Sequence, residues 1–368
     1  MGILVNFCAG VSEDVLPSNR VEAILANVPQ NAASEKAISD TRSMLESARV
    51  RFFMLDSGGF QLLDRELKGG TIDCDPSRPL VYNPNEINLA PCHVAASGQK
   101  LRPDILTSLD LPVLKIEGQK QQQVEFMKKL GFNLVWMTET ARLRRQLCPD
   151  TELFIPVQCY DLDQFGYLER HLSSLEYDGL SLPTRNLDPA GIALFLLKFY
   201  KMGIRKVHLL SVSNFSGIAL AAYFARHLFD WFSIDATTWR KVSEYQDYLH
   251  PMDLKRISVS SNEVFDERRP LPCICPWCSR TTFTQIKHLP YTDKTEFLRC
   301  HNYFVIESLG RDLYARSAHF NSYIQHLRER NQRQARKVGK LIEALTIVHH
   351  RRDEPIEILS KVLGGGKL

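Results

Sequence analysis

The chain has 368 residues, of which 44% are hydrophobic and 24% charged, and its formal net charge is +4. This composition is ordinary for a globular protein, and the small positive charge allows a nucleic-acid partner without requiring one. The first residues, MGILVNFCAGVSEDVL, lack the basic start and long apolar run of a signal peptide, and no apolar run reaches the length of about 18 residues that a membrane span needs. Nine cysteines without a secretion signal favour reduced thiols and metal ligands over disulfides. We therefore expect a cytoplasmic protein with no membrane partner.

Short apolar runs recur along the first two thirds of the chain, with amphipathic segments between many of them. The runs are Ile3–Cys8, Val21–Asn27, Phe52–Leu55, Ile105–Leu109, Leu153–Gln158, Gly179–Leu182, Lys206–Val212 and Trp231–Ile234. The amphipathic segments include Glu35–Arg49, Gln119–Gly131, Phe165–Leu175, Ala190–Met202 and Ile218–Phe229. This alternation indicates βαβ units and a parallel sheet. Eight strands predict an α/β protein of the (β/α)8 TIM barrel class, and a doubly wound sheet is the alternative.

The pattern changes along the chain and predicts three parts. Residues 1–257 form the catalytic barrel, residues 258–310 a zinc-binding subdomain, and residues 311–368 a helical basic C-terminal segment. Within the barrel, a Gly-, Pro- and Asn-rich stretch between residues 60 and 103 is long for a βα loop and is expected to carry substrate contacts. The basic side chains of the C-terminal segment fit either a track for phosphates or a solvated helix face.

Three cysteines lie within six residues in Cys273-Ile274-Cys275-Pro276-Trp277-Cys278, and His301 follows downstream. Three thiolates and one imidazole make a closed tetrahedral zinc site. Because protein atoms would fill all four positions, the predicted Zn2+ is structural. His288 and Cys300 are the alternatives to His301 as the fourth ligand.

Polar side chains end four of the predicted strands. Asp56 follows Phe52–Leu55 and precedes a Ser-Gly-Gly turn, whose glycines allow close approach of the backbone to a planar ligand. Asp110, Gln158 and Asp235 end three further strands. Barrel enzymes build their sites at the carboxyl ends of the strands, so these residues are predicted to converge in an active site. The alternative for each aspartate is a cap of the following helix.

The segment FMLDSGGFQ, the CxCxxC cluster and the downstream histidine together resemble the tRNA-guanine transglycosylase superfamily over about residues 50–310. The resemblance implies a TIM barrel with a zinc subdomain that exchanges guanine in a nucleic acid for a 7-deazaguanine. It implies that Asp56 is the general acid and base and that Asp235 is the catalytic nucleophile. The implied partners are a nucleic acid and the free base, and a homodimer is left open.

The same resemblance implies a set of residues that bind the base. Asp110 resembles the aspartate that holds the pyrimidine edge, and Gln158, in PVQ, resembles the base-binding glutamine. Phe60 is a candidate to cover the base, or else part of the core. The remaining predicted substrate contacts are Ser57 and Gly58 in DSGGFQ, and Gly179 and Leu180 in DGLSLP.

Two departures from the tRNA enzymes concern the substrate. Asp235 is followed by Ala-Thr-Thr-Trp-Arg where the tRNA enzymes have Pro-Thr-Arg, and Pro183-Thr184 stand where the bacterial enzymes lead to a glutamate. These features resemble the DNA-modifying branch, the DpdA family of phages and bacterial islands, which inserts 7-cyano-7-deazaguanine into DNA. We therefore expect DNA binding and DNA modification, with Trp239 and Arg240 touching the polymer. The alternatives are the same exchange on tRNA and a non-catalytic nucleic-acid-binding paralogue.

Overall fold

The computed structural model describes residues 2–10, 21–68, 77–78, 80–83, 87–212, 214–259, 271–330 and 335–364. The strands are β1 (Ile3–Ala9), β2 (Ala23–Asn27), β3 (Phe52–Asp56), β4 (Leu80–Asn83), β5 (Ile87–Leu89), β6 (Ile105–Thr107), β7 (Glu152–Pro156), β8 (Gly179–Pro183), β9 (Lys206–Leu210), β10 (Trp231–Ala236), β11 (Asp247–Leu249) and β12 (Arg256–Ser258). The helices are α1 (Val28–Asn31), α2 (Glu35–Ala48), α3 (Gly59–Leu67), α4 (Pro91–Leu101), α5 (Gln119–Leu147), α6 (Leu162–Leu172), α7 (Pro189–Lys201), α8 (Phe215–His227), α9 (Thr238–Glu244), α10 (Phe283–His288), α11 (Tyr291–Arg316), α12 (Phe320–Arg330), α13 (Ala335–Arg351) and α14 (Ile356–Leu363).

Eight parallel strands close into a barrel in the order β1-β10-β9-β8-β7-β6-β3-β2. Because β1 pairs with both β2 and β10, the sheet has no open edge. This closure confirms the predicted (β/α)8 TIM barrel and excludes the doubly wound sheet. All eight apolar runs lie on barrel strands. Two antiparallel pairs, β4–β5 and β11–β12, are added outside the barrel.

The barrel strands are buried on both faces, which explains why they read as nearly continuous apolar runs. Their outer faces pack against the helices in a large core, and their inner faces form a smaller one. The inner core consists of Val5, Phe7, Ala9, Ala23, Leu25, Met54, Ile105 and Phe154. On β8, β9 and β10 the residues Ser181, His208 and Ser233 lie side by side in register and are fully buried. One side of the barrel interior is therefore polar.

Helix α5 holds the segment that follows Asp110. The Asn133 side chain accepts a hydrogen bond from the Leu111 N–H at 2.7 Å and donates one to the Leu111 carbonyl at 3.1 Å. Lys129 is 1% exposed, and its Nζ donates to the Pro112 carbonyl at 2.8 Å. The same Nζ lies 2.6 Å from a carboxylate oxygen of Glu66, on α3, and 2.6 Å from one of Glu125. One buried ammonium thus ties together three segments near the carboxyl end of the barrel.

The C-terminal helices pack on the barrel helices. Helix α11 lies against α8 and α9, while α13 and α14 lie against α7. Several cations of this segment form ion pairs with nearby acidic side chains, which favours the solvated-face interpretation over a phosphate track. These pairs are Arg311–Glu307, Arg316–Asp312, Arg330–Asp312 and Arg351–Glu354.

The domain boundaries stay a prediction. Helix α11 continues across residue 310, and residues 260–270 and 365–368 lie outside the described residues, as does much of the Gly- and Pro-rich stretch before α4. Among the helices that the structure describes, none has the length and apolar character that crossing a bilayer demands.

We expect Lys129→Ala to lower the free energy of unfolding by about 3–5 kcal/mol, because it leaves Glu66 and Glu125 without their buried cation. Urea denaturation followed by circular dichroism measures this change. Arg142→Ala is the control on the same helix. Its pair with Glu139 is exposed to water, so the expected loss is far smaller. Equal losses in the two variants would contradict the role given to Lys129.

Candidate active site

The turn after β3 requires its two glycines. Asp56 is the last residue of β3, and the Gly58 N–H donates to its Oδ2 at 3.2 Å. Gly58 has φ +96°, and a Cβ there would lie 2.5 Å from the Pro29 ring. A Cβ on Gly59 would lie 2.4 Å from Asp110 Oδ1. The glycines therefore make room for the protein's own Pro29 and Asp110, which lets α3 begin directly beside the second carboxylate.

Asp110 sits in a polar pocket formed by the ends of three strands. Ser57 Oγ donates to Asp110 Oδ1 at 3.1 Å, and Gln158 Nε2 donates to Oδ2 at 2.6 Å. Burial, together with the nearby Asp56, raises the pKa of Asp110 to about 7, against the opposing effect of those two donors. The next helix begins at Gln119 with Gly118 as its N-cap, so Asp110 is not a helix cap.

Asp56 has an environment suited to proton transfer. Burial raises the pKa of Asp56 to about 6; the Gly58 N–H opposes this, and the negative charge of Asp235 adds to it. A carboxyl group that titrates near neutral pH can donate a proton in one step and accept one in the next.

Asp235 lies near the end of β10 and is 7% exposed. Its Oδ1 accepts a hydrogen bond from the Ser211 N–H at 2.8 Å, and His208 Nε2 lies 3.3 Å from the same oxygen. Ser211 reaches this position with φ +63°, in the left-handed region. Helix α9 has Thr237 as its N-cap, so Asp235 is not a cap either. One oxygen is held, while Oδ2 has no hydrogen bond within the part of the chain that the structure describes.

The sequence prediction did not include His208 or Ser211. A signal for His208 was present, because a histidine in the run Lys206–Leu210 stands among apolar residues in a strand that alternates between two buried faces. Ser211 carries no such signal, since its contribution is a backbone N–H in an unusual conformation.

Phe60 lies at the rim, in the first turn of α3, and is 47% exposed. This exposure excludes a core role, and covering the base stays a prediction. The Lys241 Nζ lies 5.4 Å above the Phe60 ring, so α9, which follows Asp235, reaches α3, which follows Asp56. The expectation that Trp239 touches the polymer is wrong, because Trp239 is buried edge-on against Tyr303. Arg240 is partly exposed, with Nη1 donating to the Gly10 carbonyl at 3.2 Å.

Gly179 and Leu180 lie at the amino end of β8, where Gly179 pairs with Phe154. The carboxylates lie at the other end of the barrel strands, four residues further along, which is about 13 Å of strand. The prediction that the backbone of Gly179 and Leu180 contacts the base therefore needs correction. Glycine stands at 179 because a Cβ there would lie 2.7 Å from the Phe154 ring. The part of β8 that reaches the level of Ser211 is Pro183, which pairs with Leu210.

A second polar cluster lies beside α9 and β11. The ligand atoms of Cys273, Cys275, Cys278 and His301 lie within 4.8 Å of one another, and all four residues are buried. His301 Nδ1 is 3.2 Å from Cys278 Sγ, while Nε2–H donates to the Leu249 carbonyl at 2.9 Å. This second bond leaves the Nδ1 lone pair facing the thiols, as in metal-binding histidines. The fourth residue of the cluster is therefore His301, and not His288 or Cys300.

This donor set fits zinc. Sulfurs of a tetrahedral site with Zn–S bonds of about 2.3 Å stand about 3.8 Å apart, so the four ligand atoms are already close to that spacing. The Tyr248 ring stacks on His301 with centroids 3.9 Å apart and fixes the plane of the imidazole.

No family model matches the chain, but several curated proteins are similar to it in sequence. The chain is 25% identical over 281 residues to the "tRNA-guanine(15) transglycosylase" of Pyrococcus abyssi, covering 69% of this chain and 38% of that protein. It is 22% identical over 302 residues to the proteins of the same name from Thermococcus onnurineus and Pyrococcus furiosus, covering 74% of this chain and 44% of each relative. The chain thus spans less than half the length of these relatives. The closed barrel and the buried Cys3His group are thus found in a chain that is similar, over 69–74% of its length, to proteins named tRNA-guanine(15) transglycosylase.

Proposed function

We propose that the protein is a base-exchange transglycosylase that replaces guanine in DNA with 7-cyano-7-deazaguanine through a covalent aspartyl-glycosyl intermediate. The observation that carries the proposal is the pair of carboxylates at one rim of the barrel in contrasting environments. Asp235 is held through Oδ1 with Oδ2 available, whereas burial brings the pKa of Asp56 to about 6. Retaining glycosidases divide a nucleophile and an acid/base between two carboxyl groups in this way.

The reaction needs two displacements at C1′ of the target nucleotide. Asp235 Oδ2 attacks C1′, the bond from C1′ to the guanine breaks with its electron pair on the base, and Asp56 gives its proton to the leaving guanine. Guanine then leaves the pocket and the 7-deazaguanine enters. Asp56 takes a proton from the incoming base, whose ring nitrogen attacks C1′ and releases Asp235 as a carboxylate.

Asp110 and Gln158 are suited to hold the base during both steps. Guanine and its 7-deaza analogues present an N1–H and an exocyclic amino group on one edge, and a carboxylate is their natural acceptor. Asp110 already accepts from Gln158 and Ser57, so its position is fixed before the base arrives. Such preorganisation lets the site read the base without first ordering its side chains.

The target nucleotide must leave the base stack so that its C1′ can reach the carboxylates at the rim. The exposed Phe60 ring, with the Lys241 ammonium over it, offers a face on which a base can stack. Cations also lie on the loops that follow β6 and β8, at the same end of the barrel. The Lys115 Nζ is 5.8 Å from the Tyr160 ring centroid. The exposed Arg185 is close enough to Tyr160 to interact with it electrostatically. These charges are suited to neighbouring phosphates.

The choice of DNA rests on the two motif departures after Asp235 and after Leu182. The similar archaeal proteins are named for tRNA, so tRNA is the second candidate polymer. The test incubates the protein with labelled 7-cyano-7-deazaguanine and either double- and single-stranded DNA or tRNA. We expect label in DNA and a protein–DNA adduct that survives denaturation. Label confined to tRNA would overturn the DNA proposal and leave the exchange chemistry standing.

Asp235→Asn is expected to abolish both label and adduct while the fold is retained, because an amide is a poor nucleophile. Asp230→Asn is the matched control, since Asp230 is exposed and directly precedes the amino end of the same strand. Adduct of wild-type intensity in Asp235→Asn would contradict the nucleophile. If the wild type labels neither polymer and forms no adduct, the non-catalytic paralogue is the better account.

We further propose that Cys273, Cys275, Cys278 and His301 hold one structural Zn2+. Binding such an ion is itself folding free energy, of about 10–16 kcal/mol in small zinc domains. We expect elemental analysis to give one zinc per chain and Cys275→Ser to lose zinc and soluble protein. Cys92→Ser, at an exposed cysteine, and Cys300→Ser, at the rejected ligand, should keep the metal. Soluble, active protein without zinc would refute the site.

The surroundings of β8 favour a neutral incoming base. Glu176 pairs with Arg145, and Asp178 accepts the Leu153 N–H at 2.8 Å, so both acids are engaged before β8 begins. Beyond the strand, Asp188 caps α7 by accepting the Gly191 N–H at 2.9 Å. No acid in the described part of this segment is therefore available to pair with a cationic 7-aminomethyl group, and an unpaired buried cation is costly.

We accordingly expect the 7-cyano base to be used about a hundredfold or more in preference to the 7-aminomethyl base. Competition between the two labelled bases for incorporation measures the ratio. Thr184→Glu, which places an acid after β8, should lower this preference for the 7-cyano base, whereas Thr184→Gln should leave it unchanged. Equal or better use of the aminomethyl base by the wild type would show that the preference is wrong.

A further inference from the structure

A row of polar side chains runs inside the barrel to Asp235. His208, at the middle of β9, is fully buried, with Nδ1 2.9 Å from Ser233 Oγ and Nε2 3.3 Å from Asp235 Oδ1. The Phe7 ring, on β1, meets the imidazole edge-on with ring centroids 5.9 Å apart. Nothing in the exchange chemistry described above uses this histidine.

The row fits an imidazole of His208 that is protonated on Nε2. The Trp231 Nε1–H can only donate, and it donates to Ser233 Oγ at 3.3 Å. One lone pair of Ser233 Oγ is thereby occupied, and the Ser233 hydroxyl can donate to His208 Nδ1 at 2.9 Å. A neutral imidazole that accepts at Nδ1 carries its proton on Nε2, which faces Asp235. Within the described part of the chain this Nε2 has no hydrogen-bond partner, so its N–H remains available to the carboxylate.

We propose that His208 is a positioning residue for Asp235, an inference that rests on the proposed role of Asp235 as nucleophile. The Ser211 N–H donates to Oδ1, and His208 Nε2 lies 3.3 Å from the same oxygen, which leaves Oδ2 as the oxygen that attacks C1′. In the covalent intermediate Oδ1 becomes the carbonyl oxygen of the ester. When the incoming base attacks, negative charge returns to the carboxylate, and a His208 Nε2–H that closes onto Oδ1 beside the Ser211 N–H stabilises that charge.

The inference predicts a loss of rate with little loss of base binding. His208→Phe keeps a ring of similar size but removes the N–H, and we expect kcat to fall about 10- to 100-fold, the usual value of a hydrogen bond to a charged group. KM for 7-cyano-7-deazaguanine should stay within about twofold, because Asp110 and Gln158 hold the base. His208→Gln, whose amide N–H can take the place of Nε2–H, should restore most of kcat.

The experiment measures single-turnover adduct formation, kcat, KM and thermal unfolding for wild type, His208→Phe, His208→Gln and Asp235→Asn, on the polymer that takes up label. Wild-type kcat in His208→Phe would overturn the inference. So would a loss that His208→Gln does not restore, or one that comes with a raised KM and a lower Tm, since those mark a structural role. Adduct formation by Asp235→Asn, or none by the wild type, would instead contradict the proposed function, and the inference with it.

Discussion

The site depends on three carboxyl groups that are largely withdrawn from water at one rim of the barrel, Asp110 and Asp235 being buried and Asp56 half-buried. Burial disfavours their charged forms, and the protein supplies backbone and side-chain donors in answer. Asp110 accepts hydrogen bonds from the Ser57 and Gln158 side chains. Asp235 accepts one from the Ser211 N–H, and Asp56 accepts one from the Gly58 N–H. The balance between burial and donated hydrogen bonds differs from one carboxyl group to the next. It brings the pKa values of Asp56 and Asp110 to about 6 and about 7, within reach of a proton-transfer cycle near neutral pH.

Holding these groups in place requires support from outside the rim. Gly58 and Gly59 let the chain turn tightly enough for α3 to start beside Asp110, and a Cβ at either position would collide with a neighbour. From the other side, α5 fixes the segment after Asp110 through Asn133 and the buried Lys129. Since Lys129 also pairs with Glu66 on α3, the supports of Asp56 and Asp110 are mechanically linked.

The Cys3His group has a similar relation to Asp235. His301 lies on α11, and the neighbouring Asn302 accepts the Leu249 N–H at 2.8 Å and donates to Ser243 Oγ at 3.0 Å. Ser243 belongs to α9, the helix that follows Asp235, and Leu249 is also the carbonyl partner of His301 Nε2. A metal bound by the three thiols and His301 would therefore hold in place the segment after Asp235 as well as its own loop.

Local sequence determined the elements and much of the chemistry. Apolar runs of the right length predicted all eight barrel strands. Polar residues at the ends of four strands predicted the rim, namely Asp56, Asp110, Gln158 and Asp235. The CxCxxC spacing predicted the thiol cluster. Tertiary structure decided what local pattern does not encode. It set the ends of β8, so that Gly179 and Leu180 fall far from the carboxylates, and it buried Trp239. It also brought His301 to the thiols and His208 to Asp235. Each of these outcomes depends on which distant segment lies alongside, and strand register and helix packing are settled only when the barrel closes.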